Sequence, residues 1–469
     1  MSQTLELPRQ AAQKEKSISE ANAKKEITWS PGQKFAFRLA FIFFFLLFVP
    51  LDFNYYRQWF TLDWSNVHIR DIGMLAGRGA YFLSLKTESG QFGLGSYVNW
   101  GISFLIALAG ALVWTAIDKK SRNYRVLYYF ITAAVSFGLL IRLQGLTFSK
   151  IFPSQMPELA VTQLNTPFGD FTSQKHYWIQ FSFVPGYEIF AGFAELTIML
   201  LLFFRRTRAW GAALAIAMVG NIAIANHVYD GGVHVLAMLY PLGGAFILWR
   251  YMPAIYKLLI REENTAPNVY HYPYSRKWEK WLRVSFKAFV FLFFIVFSAY
   301  LHWHNYTYDS YKVPARAGLP GSRGIYNVTE FRLNNNVVPY SPVDKNRWQD
   351  VAFEKWSTIS FTVFDSFWIH GEAGRGKQFK DVDRTYESAG TGGGRRHYYY
   401  EQDEAKHTLV LYNKNKEYKS DILHFNYSRP SPTRIILNGL NSNRDSVYVV
   451  LDKTEKKYPL YESVNRTEE

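Results

Sequence analysis

Apolar residues crowd into the middle of the chain, between about residues 35 and 301, and the flanking stretches are ordinary polar sequence. A bilayer core of about 30 Å asks for roughly 20 mostly apolar residues per spanning helix. Seven segments meet or approach that length: residues 35–53, 98–117, 126–147, 179–204, 209–227, 233–252 and 286–301. The fifth and sixth are separated only by residues 228–232, which predicts an antiparallel hairpin or one broken re-entrant unit. Past His304 the rhythm shortens to alternating runs at 325–333, 359–364, 397–400, 408–412, 422–427, 434–440 and 447–451. Turn clusters divide them, among them Asn334-Asn335-Asn336, the glycine-rich 390–394 and Ser428 to Pro432. Period-two runs between turn clusters predict an antiparallel sandwich or barrel. The predicted fold is an α-helical polytopic membrane bundle with a C-terminal all-β antiparallel domain. It divides into a polar tail (1–34), a helical domain (35–301) and a β-rich domain (302–469).

Charge orients this arrangement. Lys24, Lys25 and Lys34 in the tail, Lys119, Lys120, Arg122 and Arg125 after the second span, Arg205, Arg206 and Arg208 after the fourth, and the basic stretch 257–283 all fall on one side of seven spans. Basic connections mark the cytoplasmic face. The tail is then cytoplasmic and the β-rich domain periplasmic, in the inner membrane of a bacterium. The formal net charge of +15 is accounted for by these span ends, so nucleic acid is not an expected partner. The expected partners are the lipid bilayer and a periplasmic or membrane protein. Residues 1–34 lack the apolar run and small-residue cleavage site of a secretory signal and read as an unstructured or surface helical tail. With no cysteine in the chain, disulfides, thiolate metal sites and thiol redox chemistry are excluded.

Ionisable side chains inside a bilayer cost several kcal/mol unless paired or wetted, so each is a candidate for function. Arg142 and Lys150 lie at the outer end of the third span, and Glu188 and Glu195 lie in the fourth. Seven residues apart, the two carboxylates share one helix face. Asn226, His227, Asp230 and His234 occupy the fifth-to-sixth hairpin. Two readings follow: buried ion pairs that fix helix register, or a polar pocket opening to the periplasm for a small ligand, a lipid headgroup or a quinone ring. Helical spacing would put His227, Asp230 and His234 on one side as weak candidate metal ligands, with His302 and His304 nearby, but Gly231-Gly232 breaks the helix and no standard metal signature is matched. In the β-rich domain, Gly371 to Gly376 and Gly390 to Gly394 lack the strand–helix context of a phosphate loop and read as mobile hairpin loops.

The stretch from Tyr128 to Tyr251 resembles the DoxX-like family of small four-helix membrane proteins. The resemblance is carried by Arg142, by Phe148-Ser149-Lys150-Ile151-Phe152-Pro153 with Gln155-Met156-Pro157, by residues 187–195 (YEIFAGFAE), by 202–207 (LFFRRT) and by 221–230 (NIAIANHVYD). Longer members, of a type associated with Bacteroidetes-like bacteria, add N-terminal spans and a C-terminal β-domain. Where the family continues Tyr-Asp with Val-Pro-Val-Lys, this chain has Gly231-Gly232-Val233-His234, and its end, 461–466, is a loose version of an aromatic-rich ending. The resemblance implies a four-helix unit at about 126–252 and links to quinone-coupled sulfur oxidation and membrane redox complexes. The order of membrane bundle and outer β-domain is also similar to relatives of vitamin K-dependent carboxylase, without a matching catalytic motif. Two functions are therefore expected: an accessory or anchoring subunit of an envelope complex, or a quinone-linked oxidoreductase or lipid-acting enzyme. Transport is disfavoured by the lack of an inverted repeat with interrupted helices.

Overall fold

The computed structural model describes residues 28–77, 92–267, 269–371 and 380–459. Lys24, Lys25, Gly374, Gly376 and the chain end 461–466 lie outside the described residues. Helix α1 (Pro31–Phe48) starts where Ser30 accepts from the Gln33 amide and the Gln33 side chain accepts from the Ser30 amide, with Pro31 in the first turn. Two short helices, α2 (Phe53–Thr61) and α3 (Ile69–Leu75), precede α4 (Tyr97–Ile117) and α5 (Arg125–Ile151). A connection holding α6 (Val161–Leu164) and α7 (Ser173–Phe183) leads to α8 (Pro185–Phe203) and α9 (Arg208–Val228). Helices α10 (His234–Leu248), α11 (Met252–Ile260) and α12 (Lys277–Tyr308) complete the helical unit.

Among the described residues six helices are long and apolar enough to cross a membrane, and α10 with α11 passes the same test only as a pair bent by 76°. The 15 residues of α10 rise about 22 Å. They nevertheless run the depth of the bundle. The His234 ring lies 5.1 Å from that of His227, while Arg250, past the other end, lies 5.4 Å from the Trp29 ring beside the start of α1. The fourth span is shorter than the predicted 179–204. The chain leaves helical geometry at Val184 and restarts at Pro185, because proline disfavours the helical conformation of the residue before it. Residues 173–183 form the separate α7.

Helix α5 is the hub, packing on α1, α3, α8, α10 and α12. Half of its apolar window is buried inside the protein, against 17% for the peripheral α4. Leu105, Leu112 and Val113 of α4, Phe190 and Phe193 of α8, and Leu292 and Val296 of α12 stay exposed, forming apolar stripes compatible with membrane insertion. Helix α5 crosses α8 closely, and a Cβ on Gly192 would stand 2.7 Å from the Ile151 amide nitrogen.

The C-terminal unit is a closed antiparallel barrel. Strands β1 (Gly324–Leu333), β3 (Asp350–Phe353), β4 (Thr358–Thr362), β5 (Arg395–Asp403), β6 (Thr408–Asn413), β7 (Ile422–Ser431), β8 (Arg434–Leu440) and β9 (Ser446–Thr454) pair in that order, and β9 closes on β1. The two-residue β2 (Asn336–Val337) folds back on β1 through the left-handed Asn334 and Asn335. Seven strands fall on the seven predicted runs; β3 went unread, and its pairing with β1 and β4 completes the circuit. The interior is solid with side chains: Trp348 stacks on Phe361 at 3.7 Å between ring centroids, and Phe361 on Tyr398 at 5.2 Å.

Burial tells which wall meets the bundle. Strands β6, β7 and β8 alternate buried with more accessible positions, whereas β3, β4 and β5 are buried on both faces. Covering them is the α5–α7 connection, with Val161 packed against Ile325 and Ala352. In the loop 390–394, Gly390, Thr391 and Gly392 are buried here, so it is no free hairpin tip. Gly390 accepts from the Thr172 amide (3.0 Å) and Gly392 donates to the Asp170 carbonyl (2.6 Å), a close approach that a Cβ on Gly393 (φ +64°) would block against Asp170.

Gly192→Leu is expected to destabilise the full chain in detergent by about 1–3 kcal/mol, the usual cost of overpacking. Gly186→Leu, with nothing within 4 Å of the added Cβ, should leave the melting temperature near wild type. Thermal unfolding of both variants measures the difference.

Candidate functional site

Gly192 brings α8 against the last turn of α5, and one turn further on Glu195 meets Lys150. The Lys150 Nζ–Glu195 Oε1 distance is 2.6 Å, and the Thr147 hydroxyl donates to Glu195 Oε2 at 3.4 Å. Glu188, two turns back on the same face, is 1% exposed. Its Oε1 accepts from the Met156 amide at 3.2 Å, its Oε2 has no partner among the described residues, and the cationic groups acting on it are Lys150 and Lys312.

Arg142 stands apart from these carboxylates. Its guanidinium donates to the carbonyls of Gly77 (3.3 Å), Gly138 (3.3 Å) and Phe48 (3.4 Å) and lies 5.3 Å from the Phe48 ring centroid. It therefore satisfies a carbonyl at the open end of α1. Asn226, His227, Asp230 and His234 form a second group at the α9–α10 turn. Asn226 is fully buried, with Nδ2 donating to the Ile222 carbonyl at 2.8 Å, and its carbonyl accepts from the Gly231 amide at 2.9 Å. Asp230, at φ +52° and exposed, reaches His234 Nε2 at 3.2 Å. His227 Nε2 lies 3.0 Å from the Tyr97 hydroxyl and Nδ1 lies 2.6 Å from the Ala223 carbonyl. Among the described residues no three His, Asp or Glu side chains converge on a metal-sized site.

The densest buried charge lies where the barrel meets the bundle, on residues that sequence reasoning passed over. The Tyr386 ring sits between two ammonium groups, Lys175 at 4.4 Å and Lys312 at 5.3 Å from its centroid. Lys175 donates to the Tyr386 carbonyl and Lys312 to that of Gln155 (2.9 Å). The Tyr386 hydroxyl lies 3.3 Å from Ser182 Oγ and 3.7 Å from Met156 Sδ. Burial pulls Lys175 down to about 7, with Glu387 opposing, and pulls Lys312 down to about 7, helped by the charge of Arg70. Glu354 clamps the start of α6, accepting from Thr162 (2.8 Å) and Val161 (2.7 Å). Burial pushes its carboxyl up to about 7 against those two amides. Thr162 Oγ1 lies 3.0 Å from both His397 Nε2 and Ser360 Oγ, and Arg395 links Ser360 (3.2 Å) to Asp350 (2.7 Å). Burial holds His397 well below the usual histidine range. Lys414 and Glu387 form a fully buried pair beside Thr358.

Next to this network an open cleft of about 460 Å³ enters the barrel wall between His370, Thr391, Arg396, Asn413, Lys414 and Tyr418. Thr391 is 2% exposed and its hydroxyl has no partner among the described residues. The sequence carries one signal of this region, the period-two run 397–400, which places His397 on the wall opposite the core-facing Tyr398 and Tyr400.

No family profile matches the chain, and no solved structure matches it. Over 72 residues it is 33% identical to the uncharacterized protein YwoB of Bacillus subtilis (strain 168), a match covering 15% of this chain and 47% of that protein. The chain thus spans about half the length of the curated relative it matches.

The junction makes a pH prediction. A carboxyl raised above its ordinary 4.5 stabilises the fold fully below that value and loses the contribution as pH rises through about 7. The two lysines act on the other side: their contribution is full above 10.5 and is lost as pH falls through about 7. Glu354→Gln should therefore remove a decline in melting temperature between pH 4.5 and 7 that the wild type shows. Thermal unfolding at half-unit pH steps tests this, and parallel curves for the two proteins would refute it.

Proposed function

We propose that the protein is an anchoring subunit of an envelope complex, with a DoxX-like helical unit in the inner membrane that holds the barrel in a fixed orientation on the periplasmic side. The observation that carries this reading is the docking of β3–β5 on the α5–α7 connection by Glu354, Ser360 and His397, which bond Val161 and Thr162. Buried bidentate and bridged contacts resist swivelling in a way that a flexible tether does not. The β6–β8 wall keeps an accessible face, and Phe364, Trp368 and Ile369 form an exposed apolar patch beside the cleft, the kind of surface a protein partner covers. Of the side chains expected to line an intramembrane pocket, Lys150 and Glu195 pair with each other, while Arg142, Glu188 and Asn226 bond backbone groups.

A second reading is favoured by Glu188. Its unpartnered buried oxygen beside Lys150 and Lys312 suits a hydrogen-bonding ligand such as a quinone ring or a lipid headgroup. Quinone-linked oxidoreduction or lipid chemistry would then be centred on Glu188, and the electrons would have to come from that external cofactor.

Two measurements test these readings. Because the chain has no cysteine, single substitutions report topology directly. A membrane-impermeant maleimide should label Lys406→Cys in intact spheroplasts and Lys257→Cys only after lysis; the reverse pattern overturns the orientation. Mass spectrometry of small molecules co-purifying with the wild type and with Glu188→Gln separates anchor from enzyme. The anchoring reading expects no quinone or defined lipid that is lost in the variant, and a stoichiometric quinone lost with Glu188→Gln would replace it with the redox reading.

A further inference from the structure

At the end of the bundle away from the barrel, a cavity of about 500 Å³ opens between the start of α5, the α8–α9 connection and the α10–α11 bend. Four guanidinium groups line it: Arg125, Arg205, Arg208 and Arg250. Among the described residues none of the four lies within ion-pairing distance of a carboxylate, and no acidic side chain lines the cavity. At the barrel end, by comparison, Lys150, Lys414, Arg395 and Arg384 each meet a carboxylate, and Lys175 and Lys312 each donate to a backbone carbonyl.

Topology alone does not account for the arrangement. Basic residues that mark the cytoplasmic face need only be near water, yet Arg208 is 7% exposed and its Nε has no hydrogen-bond partner among the described residues. Arg125 Nε and the indole N–H of Trp29, which also lines the cavity, are likewise buried without one. Guanidinium does not shed its proton in proteins, so this charge persists and calls for an anion. Aromatic rings hold the guanidinium planes, with Arg125 4.9 Å from the Tyr270 centroid and Arg250 5.5 Å from that of Tyr128. From Arg125 the cavity reaches Thr132, seven residues or about 10 Å along α5, a depth comparable to the headgroup layer.

We propose that this cavity is a binding site for a phosphate-bearing anion carrying at least two negative charges, held by the forked donors of Arg208 and its three neighbours. Bidentate guanidinium–phosphate pairing suits these donors better than a point-charge contact. The source of the phosphate is an anionic lipid headgroup entering from the membrane or a soluble phosphate ester. Assignment to the cytoplasmic leaflet rests on the orientation proposed above, whereas the cavity and its chemistry do not.

The test uses the full chain in detergent, monitored by native mass spectrometry and thermal unfolding in the presence of cardiolipin, phosphatidylcholine or inorganic pyrophosphate. Cardiolipin should bind and raise the melting temperature, and phosphatidylcholine should do neither. Arg208→Gln should weaken cardiolipin binding at least tenfold, while Arg206→Gln, an exposed neighbour with the same loss of charge, should change it less than twofold. Arg208→Lys keeps the charge without the fork and should also lose most of the affinity. Pyrophosphate that binds and competes with cardiolipin would make a soluble phosphate the source, and pyrophosphate that does neither would make it the lipid. Equal binding by the Arg206 and Arg208 variants, or equal stabilisation by phosphatidylcholine and cardiolipin, overturns the proposal. Should the Arg208 variants fail to fold, an unchanged wild-type melting temperature with both cardiolipin and pyrophosphate overturns it as well. Labelling of Lys406→Cys decides orientation separately, so failure of one result leaves the other standing.

Discussion

A charge taken out of water must meet a counter-charge or several hydrogen bonds, because its desolvation otherwise costs several kcal/mol. The placement of the barrel on the bundle depends on this constraint. Its docked wall carries Arg395, Glu354, Lys414 and His397, all nearly inaccessible. Arg395 and Lys414 find carboxylates inside the barrel unit, but Glu354 finds its donors in the backbone of α6 and His397 finds the hydroxyl of Thr162, both contributed by the helical unit. Pulling the connection away would leave that carboxylate and imidazole without these partners. Burial of this kind contributes little net attraction, since hydrophobic substitutes often do as well. What it supplies is selection of one docking geometry, in which each donor has its acceptor.

Small residues let backbone groups come close enough for those partners to meet. Gly192 closes α5 on α8, and the same contact delivers Lys150 to Glu195. Gly390, Gly392 and Gly393 let the barrel loop lie along Asp170 and Thr172. The two ends of the α5–α7 connection are thus fixed by backbone proximity, and its middle is fixed by the Glu354 clamp. Tyr386 then completes the joint, its ring held between Lys175 of α7 and Lys312 of the strap that follows α12. Three chain segments far apart in sequence share that one aromatic.

Much of this architecture is legible in the order of residues, because hydrophobic period and span length are local properties. The helical spans, the change to period two and seven of the eight barrel strands can be read that way. The exceptions have local causes. Pro185 ends α7 inside an apolar stretch that would otherwise read as continuous, and Met252-Pro253 starts a new helix where the sixth span was expected to finish. Strand β3 is only four residues long, buried on both faces, and so shows no alternation to read. Within the candidate site, the heptad spacing of Glu188 and Glu195 gave their shared face correctly. The distance of Arg142 from both was not legible, because it depends on where α1 ends and on the carbonyls that end leaves open. The junction charges are illegible for a stronger reason: Lys175, Lys312, Glu354 and His397 are brought together by barrel closure and docking, and nothing in their neighbouring residues encodes that.

The two ends of the bundle treat buried charge in opposite ways, and the difference bears on what each end is for. At the barrel end Lys150, Lys414, Arg395 and Arg384 meet carboxylates within the chain, while Lys175 and Lys312 donate to backbone carbonyls. At the other end Arg125, Arg205, Arg208 and Arg250 gather without a carboxylate among the residues that line the cavity. Mutual repulsion among four guanidiniums in a medium less polar than water disfavours the folded state. That repulsion has to be relieved by the surroundings of the four groups. Water and aromatic faces relieve part of it, and an anion relieves the rest. A bundle that matches most cations with carboxylates at the barrel end and gathers guanidiniums without them at the other is therefore suited to fix one protein unit rigidly at the first end while taking an anionic contact at the second.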